Sequence, residues 1–215
     1  GRELPGRERD HLPGYADSRP VRIGNGAVDQ KQTDVLGEVM YCLEQARRAG
    51  LEESSASWAL QVALVNHLAA HWQEPDNGLW EIRGPRQHFT HSRVMVWAAF
   101  DAAVKGVEDH GLPGPVETWR RLRDEVRDEV LDRGWSQERQ SFRQHYETDE
   151  VDAALLMLPM VGFLPADDPR GPQPPPELDA VGARHEHEIR LARQRRVARV
   201  AQRVGDSIAF AAHRR

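Results

Sequence analysis

The chain has 215 residues, 39% of them hydrophobic and 29% charged, with a formal charge of −5 and a single cysteine. That composition supports one sizeable core. Cys42 alone excludes an internal disulfide and a cysteine metal cluster, the mild charge gives no case for nucleic acid or an anionic membrane, and no apolar run spans a bilayer, so a soluble, cytoplasmic protein is expected.

Residues 1 to about 26 are rich in Gly, Pro, Arg and Asp without a helical period and read as an extended approach segment. The chain begins at Gly1 rather than methionine, as a piece of a longer protein would. Val35, Leu36, Val39, Met40 and Leu43 recur at helical spacing, predicting a first helix over about Ala27 to Ala49 that stops at Gly50. On it, Gln30, Asp34 and Glu38 fall at i, i+4 and i+8, either lining a cavity or forming a solvated polar face. Cys42 sits in this pattern, where a buried, inert thiol is expected.

Ser54 or Ser55 caps a second helix whose apolar residues, Trp58, Leu60, Val62, Leu64, Val65, Leu68 and Trp72, spread around the cylinder and predict packing on more than one side. It ends before Pro75. A third helix, about Phe89 to Asp109, reads as largely buried. A fourth starts at Pro115 and runs to Gly134, with a narrow stripe of Val116, Trp119, Leu122, Val126 and Val130. Its remaining face alternates in charge sign, as an outer, solvated helix would. Val151 to Met160 is apolar nearly all round and predicts a buried inner helix capped by Thr148 or Asp149. Asp152 on it needs a partner, and structural support is the expected role.

The connection between the second and third helices, EPDNGLWEIRG from Glu74 to Gly84, joins a turn at Asp76, Asn77 and Gly78 to Leu79, Trp80 and the carboxylate of Glu81. Glu81 is either an ordinary surface carboxylate or, pressed against an indole in a poorly solvated pocket, a group whose raised pKa lets it act as a general acid. His88 and His91, three apart, invite a metal reading, but two nitrogens without further ligands make a poor site and no metal or cofactor is assigned.

GLWEIRG followed by RQHFTHSRVMVWAAFDAAV resembles the acid loop and next inner helix of glycoside hydrolase family 15, the glucoamylase and bacterial trehalase-like enzymes. HLPGYADSRPVRIGN (His11 to Asn25), DQKQTDVLGEVM (Asp29 to Met40) and SFRQHYETDEVDAALLMLPMVGFLPADDPR (Ser141 to Arg170) are similar to its segments in the same order. The resemblance covers about residues 3 to 170. It implies an all-α fold, an incomplete (α/α)6 toroid of alternating inner and outer helices, with residues 1–170 as part of a catalytic domain. It implies inverting, exo-acting hydrolysis of an α-glucosidic bond in an oligosaccharide or disaccharide. Glu81 would be the general acid, with Leu79, Trp80, Arg83, His88 and His91 binding substrate. A second carboxylate roughly 6.5–9.5 Å away would activate water. The family's base lies further along than the resemblance reaches, and its glucose-gripping Arg and Asp come from a segment upstream of Gly1, so the chain alone is expected to be inactive. The alternative is a noncatalytic helical toroid module binding carbohydrate or protein, as in the related regulatory subunits of phosphorylase kinase.

After Arg170 the composition changes. GPQPPP opens an expected linker over 171–182, and residues 183–215 read as an Arg-rich helical or disordered tail of no recognised family, as a truncated, rearranged or frame-shifted gene would give, the rival being a basic amphipathic helix for a membrane surface or an acidic partner.

Overall fold

The computed structural model describes residues 6–17, 19–25, 27–82, 84–165 and 168–170. Arg83, the expected linker and the Arg-rich tail lie outside them. Four long helices carry the fold: α1 (Asp34–Arg48), α2 (Ser55–His71), α3 (Thr90–Glu108) and α4 (Val116–Arg133). A two-residue strand pair, β1 (Arg7–Glu8) with β2 (Arg22–Ile23), precedes them, and a second, β3 (Trp135–Ser136) with β4 (Ser141–Phe142), follows. A 3-10 turn, Ala153–Leu156, then leads into the short α5, Met157–Met160.

Helix α3 is the centre. Every residue from Thr90 to Val104 is buried, because the near-continuous apolar run leaves no face that water could occupy at low cost. Helix α1 lies parallel to it: Gly37 opposes Met95, and Arg47 further along donates to the carbonyl of Ala102. A Cβ at Gly37 would come within 2.1 Å of the Met95 carbonyl oxygen, so this residue sets how closely the two helices approach.

Helices α2 and α4 run antiparallel to α3 on its outer side. Trp58 of α2 closes on Gly106 and Trp72 on Arg93, while Arg123 of α4 pairs with Asp101 and Gly134 meets Thr90. The two outer helices touch through Trp58 and Trp119, edge to face at 6.2 Å. This alternation of parallel inner and antiparallel outer helices is part of an (α/α)6 toroid. Both inner helices begin at the same end, beside the Asp76–Gln87 loop.

Several local expectations are corrected. Helix α1 starts at Asp34, not near Ala27, because residues 30–33 spend their polar groups on the 76–82 loop instead of on a helix. Gln30 is therefore off the face that Asp34 and Glu38 share. Cys42 is exposed, since α1 turns Gly37, Met40, Glu44 and Arg47 inward. Helix α2 buries one face, Trp58, Gln61, Val65 and Leu68, and leaves Leu60 outside. Ser54 is its cap, accepting from the amide of Ser57 at 3.1 Å. The 151–160 segment is not one helix. Asp152 caps the 3-10 turn in place of Thr148 or Asp149, and Val151, Leu156 and Met160 stay exposed.

A buried polar joint ties α1 to α2. Arg47 pairs with Glu44 and Glu53 and donates to Gln61 at 2.6 Å, while its guanidinium lies over the Trp58 ring. The opposite charges and the bonds to Glu53 and Gln61 offset the cost of removing the ions from water, although one Glu44 oxygen is buried without a hydrogen-bond partner.

Candidate active site

The loop between α2 and α3 is held from below by the segment that precedes α1. The carboxylate of Asp76 accepts from the amide of Thr33 at 3.0 Å and, through its other oxygen, from the amide of Gly78 at 3.2 Å. Asn77 and Lys31 exchange two bonds, Asn77 N–H to the Lys31 carbonyl at 2.8 Å and Lys31 N–H to Asn77 Oδ1 at 3.0 Å. The backbone of Asp76 pairs with Gln87 in both directions. An Asx-type turn at Asp76-Asn77-Gly78 results, the chemistry these residue types favour. Gly78 has φ +68, and a Cβ there would meet the Phe89 ring at 2.9 Å, so no other residue fits without displacement.

The turn delivers Leu79, Trp80 and Glu81 to the surface at the inner-helix N-termini. Glu81 has φ 53, an uncommon left-handed conformation for a side-chain-bearing residue and one that costs about 1–3 kcal/mol unless its surroundings hold it. Its amide donates to the Gly78 carbonyl at 3.3 Å and the Ile82 amide to Asn77 at 3.2 Å. Its carboxyl is exposed to solvent, and no closed pocket against the indole surrounds it.

Trp80 is 57% exposed, yet its orientation is fixed: Nε1 donates to both oxygens of Asp152, each at 2.9 Å. Asp152 also accepts from Gln144 at 2.8 Å and from the amide of Ala154 at 2.8 Å. Burial pushes the Asp152 pKa up, but the bonds from Ala154, Gln144 and Trp80 outweigh it and hold the carboxyl below the ordinary value.

The two histidines diverge. His88 stacks on Tyr146, with ring centres 5.9 Å apart, and its Nδ1 accepts from Arg93 at 2.6 Å. A guanidinium only donates, so His88 is neutral with its proton on Nε2, in keeping with a pKa lowered by burial and then by Arg93. Arg93 also donates to the Glu74 carbonyl, lies over Trp72 and pairs with Glu129. His88 thus supports the loop's scaffold. His91 is 4% exposed, and neither ring nitrogen has a hydrogen-bond partner. Burial lowers its pKa, opposed by the carboxylates of Glu38, Asp152 and Asp76. It is a neutral imidazole whose donor and acceptor nitrogens are both buried without a partner. Among the described residues, no group of three or more His, Cys, Asp or Glu is placed to hold a metal ion.

Leu79, Trp80 and Glu81 thus share the surface of this loop, His91 is buried within electrostatic reach of Asp152 but not bonded to it, and His88 is taken up by Arg93. The sequence reading did not identify Gln144, or the Asp76 and Asn77 side chains as loop anchors. The Asp-Asn-Gly turn was the available signal for the latter; Gln144 had none.

The fold and this loop define a helical toroid that presents a carboxylate beside an anchored indole at the common end of its inner helices. The chain belongs to the glycosyl hydrolases family 15, which it matches over residues 2–196. It is 41% identical over 155 residues to the trehalase of Thermoplasma volcanium, 41% over 169 to that of Mycolicibacterium smegmatis and 40% over 171 to that of Mycobacterium tuberculosis, which covers 72–79% of this chain. It spans about a quarter of the length of these relatives, 25% in each case. Among solved structures, a glycosidase in complex with glucose and the wild-type form of a glycosidase share the fold, with TM-scores of 0.57 and 0.56 at 19% and 20% identity. These cover 74% of this chain and 43–44% of theirs.

Proposed function

We propose that this chain is part of an inverting glycosidase that hydrolyses the α-glucosidic bond of trehalose, with Glu81 as the general acid. The observation that carries the reading is the posture of Glu81: a strained, clamped residue exposed beside an indole whose ring plane Asp152 fixes. Strain maintained by surrounding bonds is a mark of functional positions. The names of the similar trehalases support the choice of substrate.

In this reading the glucosidic oxygen lies against the Glu81 carboxyl, which gives it a proton as the bond breaks. Trp80 and Leu79 offer an apolar platform for a sugar face. His91 is proposed as a further sugar ligand, a role that requires its two buried, unpartnered nitrogens to become accessible when substrate binds. Arg83 is proposed as a further substrate ligand on sequence grounds alone. We assign no base among the described residues. With none assigned, we expect the 215-residue chain to turn over trehalose at no more than a trace of an ordinary enzyme's rate, since base assistance is worth about 10²- to 10⁴-fold. The division at residue 170 and a cytoplasmic location belong to the same proposal, the latter in keeping with an exposed, unpaired Cys42.

The test is Glu81→Gln in the full-length polypeptide containing this segment. It keeps shape and hydrogen bonding but cannot give a proton, so turnover of trehalose should fall by about 10²-fold or more. α-Glucosyl fluoride, whose leaving group needs little protonation, should lose far less. A lower melting temperature with unchanged turnover of the folded protein would make Glu81 a loop anchor and end this reading.

A further inference from the structure

The left-handed backbone at Glu81 needs something to hold it, and the loop's own bonds, Glu81 N–H to Gly78 and Ile82 N–H to Asn77, are both longer than 3.1 Å. Asn77 Nδ2 adds a long bond to the Ile82 carbonyl at 3.5 Å, and Gln32 reaches the Gly78 carbonyl at 3.4 Å, so the shortest bond to the Glu81 backbone comes from outside the loop. Gln30, in the segment before α1, turns its amide toward the loop, and Nε2 donates to the carbonyl of Glu81 at 3.1 Å and to that of Ile82 at 3.4 Å. One NH₂ group thus draws together two successive carbonyls, those leaving the strained residue and the next. Its Oε1 is buried with no partner, so the amide gives up an acceptor bond to sit there. Lys31, next in the chain, locks the same segment to Asn77 through its backbone and to Glu74 through its ammonium at 2.6 Å. Gln30 therefore stands on an anchored base, 51 residues before the carboxylate whose backbone it grips.

We propose that Gln30 is a positioning residue for Glu81: by binding the carbonyls of Glu81 and Ile82 it fixes the left-handed conformation that aims the Glu81 carboxyl. The inference rests on the reading of Glu81 as the proton donor. A misaimed acid loses proton transfer while the platform of Leu79 and Trp80, held separately by Asp152, keeps binding sugar.

The test has two parts. Amide exchange on the 215-residue chain reads the clamp through the loop bonds it steadies, Glu81 N–H to Gly78 and Ile82 N–H to Asn77: Gln30→Ala should speed exchange at Glu81 and Ile82 by about tenfold or more and leave the α3 amides unchanged. Unaltered exchange at those two amides would overturn the clamp. In the full-length polypeptide, Gln30→Ala should cut kcat on trehalose by roughly tenfold while changing turnover of α-glucosyl fluoride less than about twofold, and should add no further loss in a Glu81→Gln background. Gln30→Lys, which keeps a donor, should recover most of the rate, whereas Gln30→Glu, which sets a carboxylate against two carbonyls, should not. Equal losses on both substrates, or a loss that persists beside Glu81→Gln, would make Gln30 a general stabiliser and overturn this proposal alone. A Glu81→Gln enzyme with full activity would instead overturn the acid assignment, and this inference with it. Should Gln30→Ala fail to fold, the Lys and Glu variants carry the same comparison.

Discussion

Asp34 occupies the first position of α1, where the helix dipole favours a negative charge, but it is 1% exposed and its Oδ1 has no partner. Burial raises its pKa above the ordinary 3.8, and the nearby Asp76 raises it further, against the lowering effect of the amides of Asp34 and Val35. A carboxyl whose pKa is higher folded than unfolded binds more protons when folded. Its stabilising share is complete below the ordinary value, is lost as pH rises through the folded value, and leaves an ionised buried group that costs stability at neutral pH. Asp34→Asn is therefore expected to raise the melting temperature at pH 7, by roughly 2–4 °C for each kcal/mol recovered in a domain of this size, with the gain shrinking toward pH 4. Thermal melts across that range decide it, and a gain independent of pH would show that desolvation is not the cause. Asp34 was legible as polar, but its burial was not, because it depends on tertiary packing near Asp76, whose carboxylate is bonded to the neighbouring Thr33 amide. Glu81 presents the reverse case. Its motif was plain in the sequence, while its backbone conformation depends on contacts from a residue 51 positions away.

At the scale of elements, α2, α3 and α4 begin and end within two or three residues of where periodicity, Ser54, Gly111 and Gly134 place them. Their boundaries are set by local chemistry: a serine cap, a glycine stop and an apolar period bounded by Pro or Gly. The misreadings at α1 and at residues 151–160 have one cause. In both places a polar side chain, Gln30 or Asp152, leaves the regular pattern to serve the same distant loop. The packing of α1 on α3 yields a sharp prediction. Gly37→Ala would drive a Cβ into the backbone of Met95, which cannot rotate away as a side chain could, so the helices must separate. A loss of about 1–3 kcal/mol or more is expected by chemical denaturation. Gly50→Ala, with nothing within 4 Å of the added carbon but φ +87, should cost only the backbone strain, about 1 kcal/mol. The joint between α1 and α2 should be less forgiving. Arg47→Ala leaves Glu44 buried without its cation, and breaking such a pair costs about 3–5 kcal/mol, whereas Arg121→Ala on the solvated face of α4 should change stability by less than about 1 kcal/mol.

Among the described residues the best-buried surface is on α3, while α1 leaves apolar side chains uncovered. Val35 and Val39, one turn apart, are 46% and 41% exposed although α1 is an inner helix. At the loop end Leu79, Trp80 and Ile82 are uncovered, with Val151 and Leu156 beyond Asp152. Scattered exposed apolar residues are ordinary, but a helix face and an adjoining loop that share an end of the fold form a surface that water tolerates poorly. The chain spans about a quarter of the length of its trehalase relatives, and we infer that this surface is one that further parts of a complete toroid would cover. Expressed by itself, the 215-residue chain is therefore expected to bind an apolar fluorescent dye and to self-associate as its concentration rises. Replacing Val35 and Val39 together by lysine places charge on that face without touching α3, and should lower both dye binding and association while leaving the helical content of the circular dichroism spectrum intact. Sedimentation velocity across a concentration series reads the outcome. A chain that stays monomeric and dye-free before any substitution would show that its own residues already cover the face of α1.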